Sequence, residues 1–100
     1  MPAYVISDLK ILDPVAIEAY RTRAAPSIRR HGGRYLVRNG PFEVLEGDWT
    51  PRSLVIVEFP DMERARAWYR SADYAAALEV RDQALSRNLI LVDGVALPAD

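Results

Sequence analysis

The chain has 100 residues, half of them hydrophobic and 27% charged, with 14 acids against 13 bases and a formal net charge of −1. That is one domain's worth of chain with a single modest core, and the balance is that of a globular protein, not of a disordered tail or a nucleic-acid-binding block. Cysteine is absent, which excludes disulfides, a thiolate nucleophile, a zinc ribbon and an iron–sulfur site and suits a cytoplasmic location.

Ala3 to Leu12 reads as a strand, with Tyr4, Ile6 and Asp8 on one face and Val5, Ser7 and Leu9 on the other. Asp13-Pro14 has the form of an N-cap followed by proline in the first turn, and Ile17, Tyr20, Ala24 and Ile28 then fall on one helical stripe. Pro26 is expected to kink or break that helix near Ala25, before a last turn to His31, and Gly32-Gly33 closes it. Arg34 to Asn39 and Phe42 to Glu46 read as one bent or bulged strand, with a tight hairpin as the alternative. Gly47 to Pro51 is turn chemistry, and Arg52 to Phe59 is the third strand. A second helix starts after Pro60-Asp61, carrying Met62, Ala65, Trp68, Tyr69 and Ala72 at helical spacing. Ser71 or Asp73 can cap a new start, followed by a stripe of Tyr74, Ala77, Leu78, Arg81 and Leu85. Asn88 to Val92 is the fourth strand, so residues 1–94 form one domain and 95–100 a loose tail.

The order strand, helix, strand, strand, helix, strand predicts an α+β ferredoxin-like βαββαβ fold, a four-stranded antiparallel sheet with helices on one face. Leu54 and Ile56 oppose Val55, Val57 and Phe59, and Leu89 and Leu91 oppose Ile90 and Val92, so these strands are apolar on both faces. Two helices cover only one face; a homodimer through the other sheet face is the simplest cover. The start Met1-Pro2-Ala3-Tyr4 lacks a signal-peptide pattern and no apolar run approaches the ~20 residues of a membrane span, so no membrane partner is expected.

Pro2-Ala3-Tyr4, His31-Gly32-Gly33-Arg34-Tyr35-Leu36, Leu45-Glu46-Gly47-Asp48-Trp49, Arg52 with Val55 to Pro60, Ala67-Trp68-Tyr69, Ser71 with Tyr74, and Arg81 together resemble the family catalogued as domain of unknown function 1330. The resemblance covers about Pro2 to Gly94 and departs from the common pattern at Arg38-Asn39-Gly40 and at Ala72. It implies a dimeric α+β barrel, a superfamily that includes cofactor-free monooxygenases, small isomerases and lyases, and haem peroxidases, so it constrains chemistry weakly.

His31, the single histidine, is a candidate general acid or base, against the plainer role of ending a helix beside Arg29 and Arg30. Arg81 falls on an apolar stripe, where it needs either a carboxylate, with Glu58 and Glu46 as candidates, or an anionic ligand. Arg34 and Arg38 share a strand face with Leu36 and are expected to project toward a cavity. They belong to a basic run, Arg21 to Arg38, with no acid between Glu18 and Glu43, able to steer an anionic substrate or simply to form a solvated face. Trp68 and Tyr69 are expected as pocket walls, or as core, and Trp49 at a dimer edge. The expected catalytic set is thus His31, Arg81 and Arg34, with Trp68, Tyr69, Arg38 and Glu58 contacting a small-molecule ligand. No cofactor and no metal is expected, because no second nitrogen or sulfur ligand accompanies His31. RNA binding is set aside because Leu54 and Ile56 occupy the strand positions that would need exposed aromatic rings. The expected function is a small-molecule-binding homodimer, with cofactor-free proton transfer or oxygenation as its chemistry if it turns over and a non-catalytic module as the alternative.

Overall fold

The computed structural model describes residues 1–95, so the expected tail lies outside the described residues from residue 96 onward. Its elements are β1 (Ala3–Ile11), α1 (Pro14–Arg30), β2 (Arg34–Arg38), β3 (Leu54–Phe59), α2 (Met62–Arg70), α3 (Ala72–Ala84) and β4 (Leu85–Asp93). The strands pair antiparallel in the order β2-β3-β1-β4, which is the ferredoxin-like arrangement with its second helix divided at Ser71.

Alternation along the strands sorts the two faces. Ala3, Val5, Ser7 and Leu9 of β1 are buried, and Ala3 and Val5, with Val57, Phe59 and Leu85, form one core with Ile17, Tyr20, Ala24 and Ile28 of α1, Ala65 and Trp68 of α2, and Tyr74 and Ala77 of α3. At the start of α1 the Asp13 carboxylate accepts from Val15 N (2.7 Å) and Ala16 N (3.1 Å), satisfying two of the orphan donors there. Of the kink or break expected at Pro26, the break does not occur: α1 runs through the proline to Arg30. The physical reason is burial. Ala24, Ala25, Ser27 and Ile28 flank the proline inside the core, and that packing offsets the ~3 kcal/mol an interior proline costs. The helix is closed by Gly32 N to Arg29 O and Gly33 N to Ile28 O, with Gly32 at φ +81. At Gly33 the requirement is space: a Cβ would stand 2.7 Å from Ile28 Cγ2 and 2.8 Å from a Phe59 ring carbon.

β2 contains a bulge. Arg34 pairs with Glu58 and Tyr35 with Val57, but Val37 pairs with Ile56 and Arg38 with Val55, so Leu36 is the extra residue. The bulge reverses the facing of everything after it. Arg34 lies on the open face and Arg38 on the helix side, so the two arginines do not share a face as the plain alternation predicts.

The segment Phe42 to Glu46 is not a strand, and β3 begins at Leu54 rather than Arg52. Residues 39–53 instead form one long irregular connection, whose Phe42, Val44, Leu45 and Trp49 are exposed. Its base is pinned by Asn39 N to Leu54 O, Leu9 N to Ser53 O, and the Asp8 carboxylate, which accepts from Trp49 Nε1 (2.9 Å) and Arg52 N (3.0 Å). β4 likewise starts three residues earlier than predicted, at Leu85: α3 passes into it without a loop, and Ala84 O accepts from Leu12 N.

No described element covers the second sheet face. A row of β-branched side chains crosses it, Val37, Ile56, Ile6 and Ile90 in adjacent positions, beside a second row of Arg34, Glu58, Tyr4 and Val92. Ile90 is 56% exposed and Val92 40%.

Candidate functional site

Between α1, α2 and the covered face of the sheet lies a cavity of about 60 Å³. Apolar side chains wall most of it, among them Val5, Leu9, Ile17, Val57, Trp68 and Leu89; its polar lining comes from Ser7, Tyr20, Arg21, Tyr35, Arg38, Asn39 and Arg87. No carboxylate of the described residues lines it. Such an apolar space with a few convergent polar groups is the usual form of a small-molecule site.

Arg87 is its centre of charge. The residue alternates with Leu85, Leu89 and Leu91 on the covered face of β4 and is half-buried. Its Nη1 donates to the Tyr20 hydroxyl (2.8 Å) and its Nη2 to the Tyr74 hydroxyl (2.6 Å), and the two hydroxyls bond each other at 2.5 Å. No ion pair joins Arg87 to an acid among the described residues. Burial pushes the Tyr20 phenol pKa up, with Tyr74 adding to the effect and Arg87 opposing it. Burial also works against the charge on Arg87, but the two phenols outweigh it and hold its pKa above the ordinary arginine value. Tyr20 therefore keeps its proton beside a charged Arg87.

The proton count of this cluster is unbalanced. Each phenol oxygen accepts one N–H from Arg87, one hydroxyl proton fills the bond between the phenols, and the other has no acceptor among the described residues. Ser7 Oγ is a second unsatisfied group: it is buried, on the cavity wall, and without a hydrogen-bond partner among the described residues. Trp68, in contrast, is satisfied, its Nε1 donating to Ser27 Oγ at 3.1 Å while its ring stacks near Phe59 and Tyr74.

Of the residues singled out from the sequence, Trp68 and Arg38 line this cavity. Arg38 owes its place to the bulge, and its guanidinium lies over the Tyr35 ring, 4.5 Å from the centroid. The others are elsewhere. His31 caps the C-terminus of α1, with Nδ1 2.9 Å from Ser27 O. Arg34 pairs with Glu58 at 2.8 Å on the open face, so Glu58 is not the partner of Arg81. Arg81 instead pairs with its neighbour Asp82 at 3.2 Å, near the β4 edge, and Tyr69 is 42% exposed. The predicted catalytic trio of His31, Arg34 and Arg81 is not brought together.

Sequence reasoning missed Arg87 and Ser7 and placed Tyr20 and Tyr74 on apolar helical stripes without joining them in a site. The signal for Arg87 was present. Extending the fourth strand back to Leu85 puts an arginine on an apolar strand face, the same anomaly that drew attention to Arg81.

Fold and cavity together define a ferredoxin-like α+β domain with a cationic, phenol-lined hollow between helices and sheet. The chain belongs to the family described as Domain of unknown function (DUF1330), whose profile matches residues 2–95. Among solved structures it is similar to a protein of unknown function from Rhodopseudomonas palustris (TM-score 0.74, 23% identity, 95% of this chain and 83% of that one). It is also similar to a dimeric protein of unknown function and ferredoxin-like fold from Bacteroides fragilis (TM-score 0.56, 13% identity, 93% and 96%). A third is a candidate antibiotic biosynthesis monooxygenase from Nitrosomonas europaea (TM-score 0.54, 18% identity, 96% and 100%). No curated protein matches the chain. Among the described residues, no helix is long and apolar enough to cross a membrane, and no cluster of three or more potential metal ligands occurs.

Proposed function

We propose that the protein is a homodimer, working in the cytoplasm, that binds a small oxyanion in the cavity of each subunit: a carboxylate, or the enolate of a small carbonyl metabolite. One observation carries this reading. Arg87 is a half-buried cation with no carboxylate partner among the described residues, held by two phenols that together have one hydroxyl proton to spare. A carboxylate or enolate oxygen supplies both the missing negative charge and the missing acceptor. The homodimer is supported by the apolar row on the open face and by the dimeric character of the Bacteroides fragilis neighbour. The absence of cysteine supports the compartment.

A second reading, cofactor-free proton transfer, is favoured by the same spare hydroxyl: the Tyr20–Tyr74 pair can donate a proton to an oxyanion while Arg87 stabilises the charge. The fold shared with a candidate monooxygenase is compatible with turnover but does not choose a reaction.

The test is calorimetric titration with acetate, pyruvate and acetoacetate, beside native mass spectrometry of the purified protein for dimer mass and co-purified ligand. Binding of at least one probe, weakened at least tenfold in Arg87→Gln and in Tyr20→Phe, is expected, since a charge-assisted hydrogen bond contributes ~1.5–3 kcal/mol. The two variants guard against a folding defect in either. Absence of binding by all three probes, or binding unchanged in both folded variants, overturns the oxyanion reading. In D2O, deuterium appearing at the methyl carbon of pyruvate faster than without the protein establishes the catalytic form.

A further inference from the structure

The cavity has two cationic ends, and only one is used by the reading above. β2 and β4 are opposite edges of the sheet, so Arg38 and Arg87 approach the cavity from positions three strand spacings apart, roughly 14 Å between backbones. Ser7 lies between them. In one row across the sheet Arg38 faces Val55, Val55 faces Ser7 and Ser7 faces Leu89, and Arg87 is the next inward-facing residue of β4. The third arginine on the wall, Arg21, is already paired with Glu18 at 3.1 Å. Arg38 has no acidic partner among the described residues.

The position of Arg38 is also built. Without the extra residue at Leu36 it would stand with Arg34 on the open face; the bulge gives up regular pairing and turns it to the cavity. Stacking on Tyr35 then fixes the plane of the guanidinium, which reduces the rotamer freedom it would lose on binding. Asn39, the one non-glycine residue at positive φ (59) among the described residues, directs the chain away immediately after it.

We infer that the ligand carries two anionic groups: a short dicarboxylate, one carboxylate on Arg87 and the Tyr20–Tyr74 pair and the other on Arg38, with Ser7 Oγ bonding an oxygen between or beside them. This rests on the oxyanion reading and deepens it. The size fits a short molecule. At about 10–15 Å³ for each water-sized position, about 60 Å³ holds roughly four to six such positions, and Arg38 at the rim leaves the outer carboxylate partly in solvent.

The experiment compares chains of equal length: malonate, succinate and glutarate against propionate, butyrate and valerate, on the full chain and on Arg38→Gln. Arg38 is exposed and lies at a strand end, so the variant is expected to fold, as circular dichroism and thermal melting will check. At least one dicarboxylate should bind roughly ten- to hundredfold more tightly than its matched monocarboxylate, and Arg38→Gln should erase that preference while leaving monocarboxylate affinity within about twofold. Ser7→Ala should weaken an oxygen-bearing dicarboxylate such as oxaloacetate more than succinate. If monocarboxylates bind as tightly as dicarboxylates, or Arg38→Gln weakens both equally, the two-anion inference fails while the oxyanion reading stands. If neither class binds, both fail.

Discussion

Tyr20 is a phenol whose ionisation is linked directly to folding. Its pKa is raised from an ordinary 10.0 by burial first and by Tyr74 second, against the pull of Arg87. A raised folded value means that the folded state keeps a proton the unfolded state loses. The contribution to stability is therefore complete below pH 10 and declines as pH rises from 10 toward the folded value. Tyr20→Phe removes two hydrogen bonds at Arg87 and Tyr74, so it should be less stable near neutrality by about 1–3 kcal/mol. The gap between it and the parent chain should narrow above pH 10, because phenylalanine has nothing to titrate. Denaturant unfolding across the alkaline range measures this, and a gap constant with pH would show that the phenol is not linked to folding. Residues of this kind were half-legible from sequence. Helical spacing placed Tyr20 and Tyr74 inside, but spacing says nothing of what a buried hydroxyl faces, and its partner Arg87 fell between the last helical stripe, ending at Leu85, and the strand expected from Asn88.

The connection of residues 39–53 is the element that departs most from expectation. Phe42, Val44 and Glu46 alternate as a strand should, yet alternation specifies only which residues share a face; a strand also needs a neighbour for its backbone, and none is present there among the described residues. The long connection is held mainly at its base, and Asp8 is the chief pin. Its carboxylate pKa lies below the ordinary 3.8, first because Trp49 Nε1 donates to it and next because Arg52 N does. A lowered folded value gives stabilisation that is present above pH 3.8 and lost as pH falls through the folded value. Asp8→Ala should accordingly expose the connection to cleavage by a glutamate-specific protease at Glu43 and Glu46 at neutral pH, with the thermal stability gap to the parent closing in acid. Equal cleavage of parent and variant would show that the pin is inert. The helices, in contrast, were legible because caps and apolar stripes are local signals: Asp13, Asp61 and Ser71 all cap as their types suggest. Pro26 misled because propensity is local while the packing that overrides it is not.

At the scale of the whole molecule, the sheet has one face under three helices and one face with an apolar row. Fold order and the two-faced strands were both readable from period-two patterning, and so was the expectation of a partner. Ile56→Asp places a charge in the middle of that row. Light scattering should give a dimer mass for the parent and a monomer mass for Ile56→Asp, with circular dichroism unchanged; a monomeric parent would overturn the dimer.

The direct passage of α3 into β4 ties the site to chain length. Tyr74 and Arg87 meet within one uninterrupted piece, thirteen residues apart. Because side chains alternate along a strand, one residue inserted after Ala84 would send Arg87 to the opposite face and bring Ser86 inward. The opposite end of the cavity is under no such constraint, since Arg38 stands at the head of a long connection that can lengthen or shorten behind it. Insertions and deletions among relatives should therefore be found after Arg38 and excluded at Ala84–Leu85, leaving one end of the ligand fixed while the other diversifies.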